Sequence, residues 1–368
     1  MRKIRVLVVD DSTVIRRLLT DSLATDPNLE VAGTAANGKI ALAKIPQLNP
    51  DVITLDMEMP EMDGIATLIE VRKLYPKLPV IMFSTLTQRG AEATLDALSR
   101  GANDYVTKPA NVGSVTAAMQ NVRNELVPKI KAFCPWFAAQ TPASARPRPI
   151  FRPTLNTPTR TVPTANRIDI VAIGASTGGP NALQTVLSRI PADFPVPIVI
   201  VQHMPPIFTR HLADRLNQLC PLQAVEAQRG EVVVAGGVYV APGDYHMLVQ
   251  RDGTAIRIDL NQGTPENSCR PAVDVLFRSV TETYGPNVLS VVLTGMGQDG
   301  ARGCEAIRNA GGRIIAQDEA TSVVWGMPGA VSQAGLADHI LPLEKIADEI
   351  VRETLQGRKS RTLEKVGT

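Results

Sequence analysis

The chain of 368 residues has room for two domains of the usual ~150 residues and a connecting segment. Aromatic residues are only 4% against 44% hydrophobic residues, so the cores must be built from Val, Ile, Leu and Ala, which favours layered α/β packing over a small aromatic-rich β domain. Thirty-eight basic and 36 acidic residues leave a net charge of +2, too weak a field to argue for nucleic acid or membrane as partner.

The four cysteines, Cys134, Cys220, Cys269 and Cys304, form no CxxC pair and no zinc-like spacing, and read as reduced thiols. At the amino terminus an apolar run too short for a signal peptide ends in Asp10 and Asp11. No stretch approaches the ~20 apolar residues that span a bilayer. The expectation is a cytoplasmic protein without membrane insertion.

Over residues 1–125 the runs IRVLVV, LEVAGTA, DVITL, PVIMF and DYVTK alternate with segments of helical spacing, which predicts a parallel sheet covered on both faces. The first helix starts at Asp11 or Ser12 as N-cap and places Val14, Ile15, Leu18 and Leu19 on one face. In open sheets of this kind ligands bind where loops leave the carboxyl ends of the strands. Asp10 and Asp11 end the first strand, Asp56 the third and Ser84 the fourth, and Lys108 follows the fifth. Three such carboxylates repel one another unless a hard divalent cation, here Mg²⁺, lies among them. Asp56 is then the candidate nucleophile toward phosphorus, with Mg²⁺ and Lys108 neutralising the phosphoryl oxygens and Ser84 bonding one of them. Each residue alone is as well read as a cap, a turn or a surface lysine; their order at the strand ends is what points to a site.

VVDDS, LDMEMPEMDG, FSTLT and YVTKP together resemble the response-regulator receiver family, which has a flavodoxin-like fold. The resemblance implies phosphorylation of Asp56 by a histidine kinase, Tyr105 as the aromatic switch residue beside Ser84 and Lys108, and metal ligation by Asp11 and Asp56 with Asp10 nearby.

Residues 126–167 read as a linker. Between Gln140 and Arg167 there are prolines at 142, 147, 149, 153, 158 and 163, five arginines and no acid, a composition with nothing to bury. A basic docking strip is the weaker reading of the same residues.

Residues 168–360 carry a second alternating pattern, with strand runs IDIVAI, PIVIV, VLSVVL and RIIAQ, and predict a second doubly wound α/β domain. GGVYV, HMLV and AIRID between Glu231 and Asp259 read as β-hairpin material beside the sheet. The first run leads into Gly174-Ala175-Ser176-Thr177-Gly178 and then a helix, the G-x-S-x-G spacing of a strained turn that presents a serine hydroxyl. The same turn aims helix N-terminal amides, Thr177 N–H among them, at a developing oxyanion. The segment lacks the initial G-x-G of a dinucleotide site and the GK[ST] of a P-loop.

A serine needs a base, and the chain has His203, His211, His246 and His339. His203 directly follows PIVIVQ, at the same sheet edge as Ser176, with His246 the alternative. Asp299 follows VLSVVL at that edge and is the carboxylate expected to orient the imidazole; its competitor Asp274 sits in RPAVDVLF at helical spacing. The order Ser, His, Asp differs from that of α/β-hydrolases and calls for another scaffold.

GASTGGP, VQHMP, YVAPGDYH, CRPAVDVLF and LTGMGQDG in this order resemble the catalytic domain of the chemotaxis protein-glutamate methylesterases. The resemblance implies a Rossmann-like domain that hydrolyses glutamate γ-methyl esters on chemoreceptor cytoplasmic domains, with Ser176 as nucleophile, His203 as base, Asp299 orienting it, a Met296 backbone donor in the oxyanion hole and no metal in this half. It also implies that the unphosphorylated receiver restrains the esterase. Glutamine deamidation, which shares the acyl-enzyme step, stays open beside ester hydrolysis. A DNA-binding output finds no net basic helix-turn-helix segment to carry it.

Overall fold

The computed structural model describes residues 2–108, 115–134, 136–137 and 167–364. The chain divides into two compact units, Met1–Pro149 and Ile150–Thr368. Among the described residues no helix is long and apolar enough to cross a membrane. The proline-rich stretch from 140 to 166, read above as linker, lies outside the described residues.

The first unit runs β1 (Ile4–Val9), α1 (Thr13–Ala24), β2 (Leu29–Ala35), α2 (Gly38–Leu48), β3 (Val52–Asp56), α3 (Gly64–Leu74), β4 (Val80–Ser84), α4 (Gln88–Ser99), β5 (Asp104–Thr107) and α5 (Val115–Ala132). Its strands pair in the parallel order β2-β1-β3-β4-β5, the flavodoxin-like winding. Alternate residues of β1 (Ile4, Val6, Val8) meet Leu19 and Leu23 of α1 and Val122, Leu126 and Ile130 of α5 in one core. Of the two candidate caps of α1 it is Ser12 that serves, its Oγ accepting from Ile15 N at 3.4 Å. Two sequence expectations change. Val14 is 74% exposed, because it lies about 140° around the helix from the Leu19 position that faces the sheet. Helix α5 also continues past residue 125 to Ala132, so the first residues assigned to the linker are helical.

The second unit runs β6 (Ile170–Ala175), α6 (Gly179–Leu187), β7 (Ile198–Gln202), α7 (Phe208–Leu219), β8 (Gln223–Glu226), β9 (Gly237–Val240), β10 (His246–Asp252), β11 (Ala255–Asn261), α8 (Val273–Tyr284), β12 (Val288–Val292), α9 (Ala301–Ala310), β13 (Arg313–Gln317), α10 (Met327–Gln333), β14 (His339–Leu341) and α11 (Leu343–Glu364). Seven strands form a parallel sheet in the order β14-β13-β12-β6-β7-β9-β8. GVYV is thus not hairpin material: Val238, Tyr239 and Val240 are all buried, as in a strand covered on both faces, and β9 pairs parallel with β7 and β8. HMLV and AIRID do form an antiparallel hairpin, β10 with β11.

The chain leaves β6 toward β7 on one side and returns to β12 on the other, so the switch of direction falls between β6 and β12, where doubly wound sheets open a crevice. Helix α8 closes the floor of that crevice, with Val273, Leu276, Phe277 and Val280 buried against the strands. It approaches β6 so closely that a Cβ on Gly174 would lie 2.4 Å from Val273 Cγ1. At the back edge, Arg358 of α11 donates to the Ile168 carbonyl at 3.2 Å, where the chain enters β6. Gly174→Ala is expected to overpack the α8 contact and cost about 1–3 kcal/mol. Urea unfolding followed by circular dichroism reads this as a lower midpoint, and an unchanged midpoint contradicts the close approach.

Candidate active site

Three neighbouring strands, β7, β6 and β12, deliver His203, Ser176 and Asp299 to one edge of the second sheet. The strands β6 and β7 pair with Ala175 opposite Gln202, and His203 N donates to Ala175 O at 3.1 Å, so Ser176 and His203 leave adjacent strands in step. The serine turn is fixed on all sides. Ser176 N donates to Thr294 O (3.0 Å), Ser176 O accepts from Gly179 N (2.8 Å) and Gln202 Nε2 (2.9 Å), and Thr294 Oγ1 donates to Thr177 O (2.9 Å). Gly178 at φ 79° supplies the left-handed residue that turns the chain into α6. Beyond β12, Gly295 packs on this turn, and half-buried Met296 follows it in the chain.

His203 Nε2 lies 2.8 Å from Asp299 Oδ2. An ionised carboxylate only accepts, so Nε2 carries a proton, and in the neutral ring it is Nδ1 that has the lone pair. Nδ1 faces Cys269 Sγ at 3.6 Å. Burial by itself pulls the imidazole pKa down; hydrogen bonds to Asp299 and Cys269 and the Asp299 charge outweigh it, and the net shift is upward. Asp299 is buried, which alone would raise its pKa, yet the His203 contact and the amides of Val273 and Asp274 hold it below the usual carboxylate value. Its Oδ2 also accepts from Val273 N (2.7 Å), and its Oδ1 from Asn267 Nδ2 (2.8 Å), Asp274 N (3.0 Å) and Gly300 N (3.0 Å). The carboxylate therefore occupies the N-terminus of α8, where orphan amides and the helix dipole favour an anion.

The competing residues have other partners. His246 is buried, accepting from Ala272 N through Nδ1 and donating to Thr264 O through Nε2. His339 pairs with Glu349, and His211 lies in α7. Asp274 is buried in the first turn of α8 and accepts from Gly303 N and Asn267 Nδ2, with its pKa raised by burial and then by Asp299. Asn267, Cys269, Gln202 and Thr294 complete the site without having been singled out in the sequence. Asn267 sits in the aperiodic segment between β11 and α8 with no signal but its nearness to CRPAVDVLF, the motif that Cys269 itself opens.

In the first unit the strand ends gather the acidic pocket. Lys108 Nζ lies 2.7 Å from Asp56 Oδ1 and 3.1 Å from Asp10 Oδ2. Asp10 and Asp56 are buried and Asp11 is exposed, with one carboxylate oxygen of each within 4.8 Å of the others. Asp56 Oδ2 is buried without a hydrogen-bond partner, a hard, anionic, unsatisfied oxygen of the kind Mg²⁺ takes. Burial first, and the Asp10 charge after it, push Asp56 up to about 6 against the opposing pull of Lys108. Ser84 Oγ donates to Gly90 O in α4 at 3.1 Å. The Tyr105 ring is buried, with Lys129 Nζ 5.2 Å from its centre, and burial raises its hydroxyl pKa well above the usual value.

The His203 imidazole is expected to titrate above the ~6.5 of a free histidine, and to fall toward that value in Asp299→Asn; nitrogen-detected NMR titration reads both. Because the folded pKa is raised, the stability supplied by the protonated pair is fully present below ~6.5 and is lost as pH rises through the folded value.

Residues 171–350 match the CheB methylesterase family, and residues 6–120 match the response regulator receiver domain. Over 352 residues the chain is 54% identical to a protein-glutamate methylesterase/protein-glutamine glutaminase of Trichodesmium erythraeum (strain IMS101), covering 96% of this chain and 99% of that protein. A relative of the same name from Nocardioides sp. (strain ATCC BAA-499 / JS614) is 52% identical over 361 residues, 98% of each chain. The crystal structure of the Thermotoga maritima CheB methylesterase catalytic domain matches with a TM-score of 0.50 at 43% identity, over 50% of this chain and 98% of that one. With a receiver ahead of a CheB methylesterase domain and full-length likeness to these relatives, the chain belongs to the protein-glutamate methylesterase/protein-glutamine glutaminase family.

Proposed function

We propose that the chain is a phosphorylation-activated serine esterase that hydrolyses glutamate γ-methyl esters on chemoreceptor cytoplasmic domains, with glutamine deamidation at the same centre. The observation that carries this reading is the His203–Asp299 pair, 2.8 Å apart, at the sheet's switch point beside the fixed serine turn.

Ser176 Oγ attacks the ester carbonyl while His203 takes its proton at Nδ1. Asp299, holding Nε2–H, keeps the imidazole in that tautomer and stabilises the imidazolium. The carbonyl oxygen turns anionic against the N–H groups of Thr177 and Met296, which need no reorganisation because the serine turn and the β12 loop are already braced by Thr294. The imidazolium returns its proton to the departing methoxide, and water repeats the sequence to release the glutamate. An amide follows the same path but leaves only as a protonated amine, so it leans harder on the imidazolium.

In the receiver, Asp56 is the phosphate acceptor from a chemotaxis histidine kinase. Mg²⁺, held by Asp10, Asp11 and Asp56, supplies neutralisation of phosphoryl charge when bound. Lys108 contributes a fixed cation beside the same oxygens, and Ser84 exchanges Gly90 O for a phosphoryl oxygen, with Tyr105 as the buried aromatic that follows it.

Methanol release from methylated receptor cytoplasmic fragments tests the reading. Ser176→Ala is expected to lose roughly 10⁴-fold or more, the scale seen when a triad member is removed. Release should rise with pH as His203 becomes neutral, with a midpoint above ~6.5. A small phosphodonor should stimulate the native chain but neither Asp56→Asn nor the native chain stripped of Mg²⁺ by chelator. Release that survives Ser176→Ala overturns the esterase assignment.

A further inference from the structure

Cys269 gives the base a second partner. Its sulfur lies 3.6 Å from His203 Nδ1 and 3.5 Å from Asn267 O, while Nε2 is committed to Asp299 at 2.8 Å. Thiol, imidazole and carboxylate thus stand in line. The thiol faces Nδ1, so that a thiolate formed there lies beside an imidazolium that Asp299 stabilises. Cys269 is half-buried, so small reagents reach it.

The other three thiols differ in kind. Cys134 and Cys304 are buried. Burial pushes the Cys134 thiol up to about 12 and that of Cys304 up as well. Cys220 is half-exposed like Cys269, but burial pushes it up to about 11 with no other cause acting on it. The chain therefore carries its own control cysteine.

We propose that Cys269 is a modification site at which hydroperoxides oxidise the thiol to a sulfenic acid and thereby disable His203 as a base. The thiolate sulfur attacks the terminal peroxide oxygen, an S–O bond forms and the O–O bond breaks. Sulfur gives up two electrons, and the departing hydroxide or alkoxide takes the proton from the imidazolium. The sulfenic hydroxyl then occupies the Nδ1 side of the ring, where the Ser176 proton has to arrive. A low-molecular-weight thiol reverses the change through a mixed disulfide. Only the loss of catalysis rests on the esterase reading; the oxidation itself does not.

The full chain is exposed to limiting hydrogen peroxide near pH 6.5 with a sulfenate-trapping dione, and each cysteine is followed by mass spectrometry beside methanol release. Cys269 should be trapped first, at least roughly tenfold faster than Cys220, and His203→Ala or Asp299→Asn should remove that advantage. Cys134 and Cys304, unreactive while buried, report whether each variant is folded. Peroxide should abolish methanol release from the native chain, a thiol reductant should restore it, and whatever activity Cys269→Ala retains should survive peroxide. Trapping of Cys269 no faster than Cys220, or unaltered in a folded His203→Ala, overturns the proposal. So does peroxide inactivation of Cys269→Ala as complete as that of the native chain. His203-dependent trapping in a chain that releases no methanol under any condition upholds the modification site and sinks the esterase reading instead.

Discussion

The second unit is organised around two oxygen atoms. The Asp299 carboxylate is buried, where an unpaired charge would cost several kcal/mol, and it accepts five hydrogen bonds, from His203, Asn267, Val273, Asp274 and Gly300. The five donors come from four pieces of structure: the end of β7, the segment after β11, the start of α8 and the approach to α9. The carboxylate gives these pieces a common reference point. The imidazole tautomer follows from the same group, because an acceptor-only partner at Nε2 decides where the ring keeps its proton.

The acidic pocket of the receiver is the reverse case. Asp299 has every lone pair answered by the protein, whereas Asp10 and Asp56 share the ammonium of Lys108, and Asp56 Oδ2 accepts no hydrogen bond. The protein spends donors to finish one carboxylate and leaves another short of positive charge. A group left short in this way is receptive to a hard cation and a phosphoryl group; a group fully satisfied is suited to holding a neighbour still. The upward shift of Asp56 and the downward shift of Asp299 express that difference: burial opposes ionisation in both, but Asp56 also feels the Asp10 charge, while His203 and two backbone amides hold Asp299 down.

Much of this could be read from the sequence because doubly wound sheets put chemistry at strand ends, and the long buried strands β1, β3, β6, β7 and β12 are unmistakable apolar runs. Asp56, Ser176, His203 and Asp299 were legible for that reason. The short strands were not. QAVE of β8 is an edge strand with alternating exposure, HIL of β14 is three residues long, and GVYV of β9 lies between glycines in a way that suggests a hairpin. Asn267, which donates to Asp299, was equally hidden, since it occupies a segment with no periodicity and reaches the site only through the fold. Val14 shows the opposite failure, an apolar residue near the right face that the helix nevertheless turns to solvent.

Ser176, His203 and Asp299 of the second unit lie at the carboxyl ends of its strands, while the chain comes in at Ile168 on the far side, where Arg358 of the last helix is tied to it. The entry of the chain into the sheet thus lies behind it, away from the loops that carry Ser176, His203 and Asp299. A unit wired this way behaves as an interchangeable cartridge: recombination can splice a different sensor onto its back without cutting through a loop that the reaction uses. Selection can then alter what switches the enzyme on while leaving what it cleaves untouched.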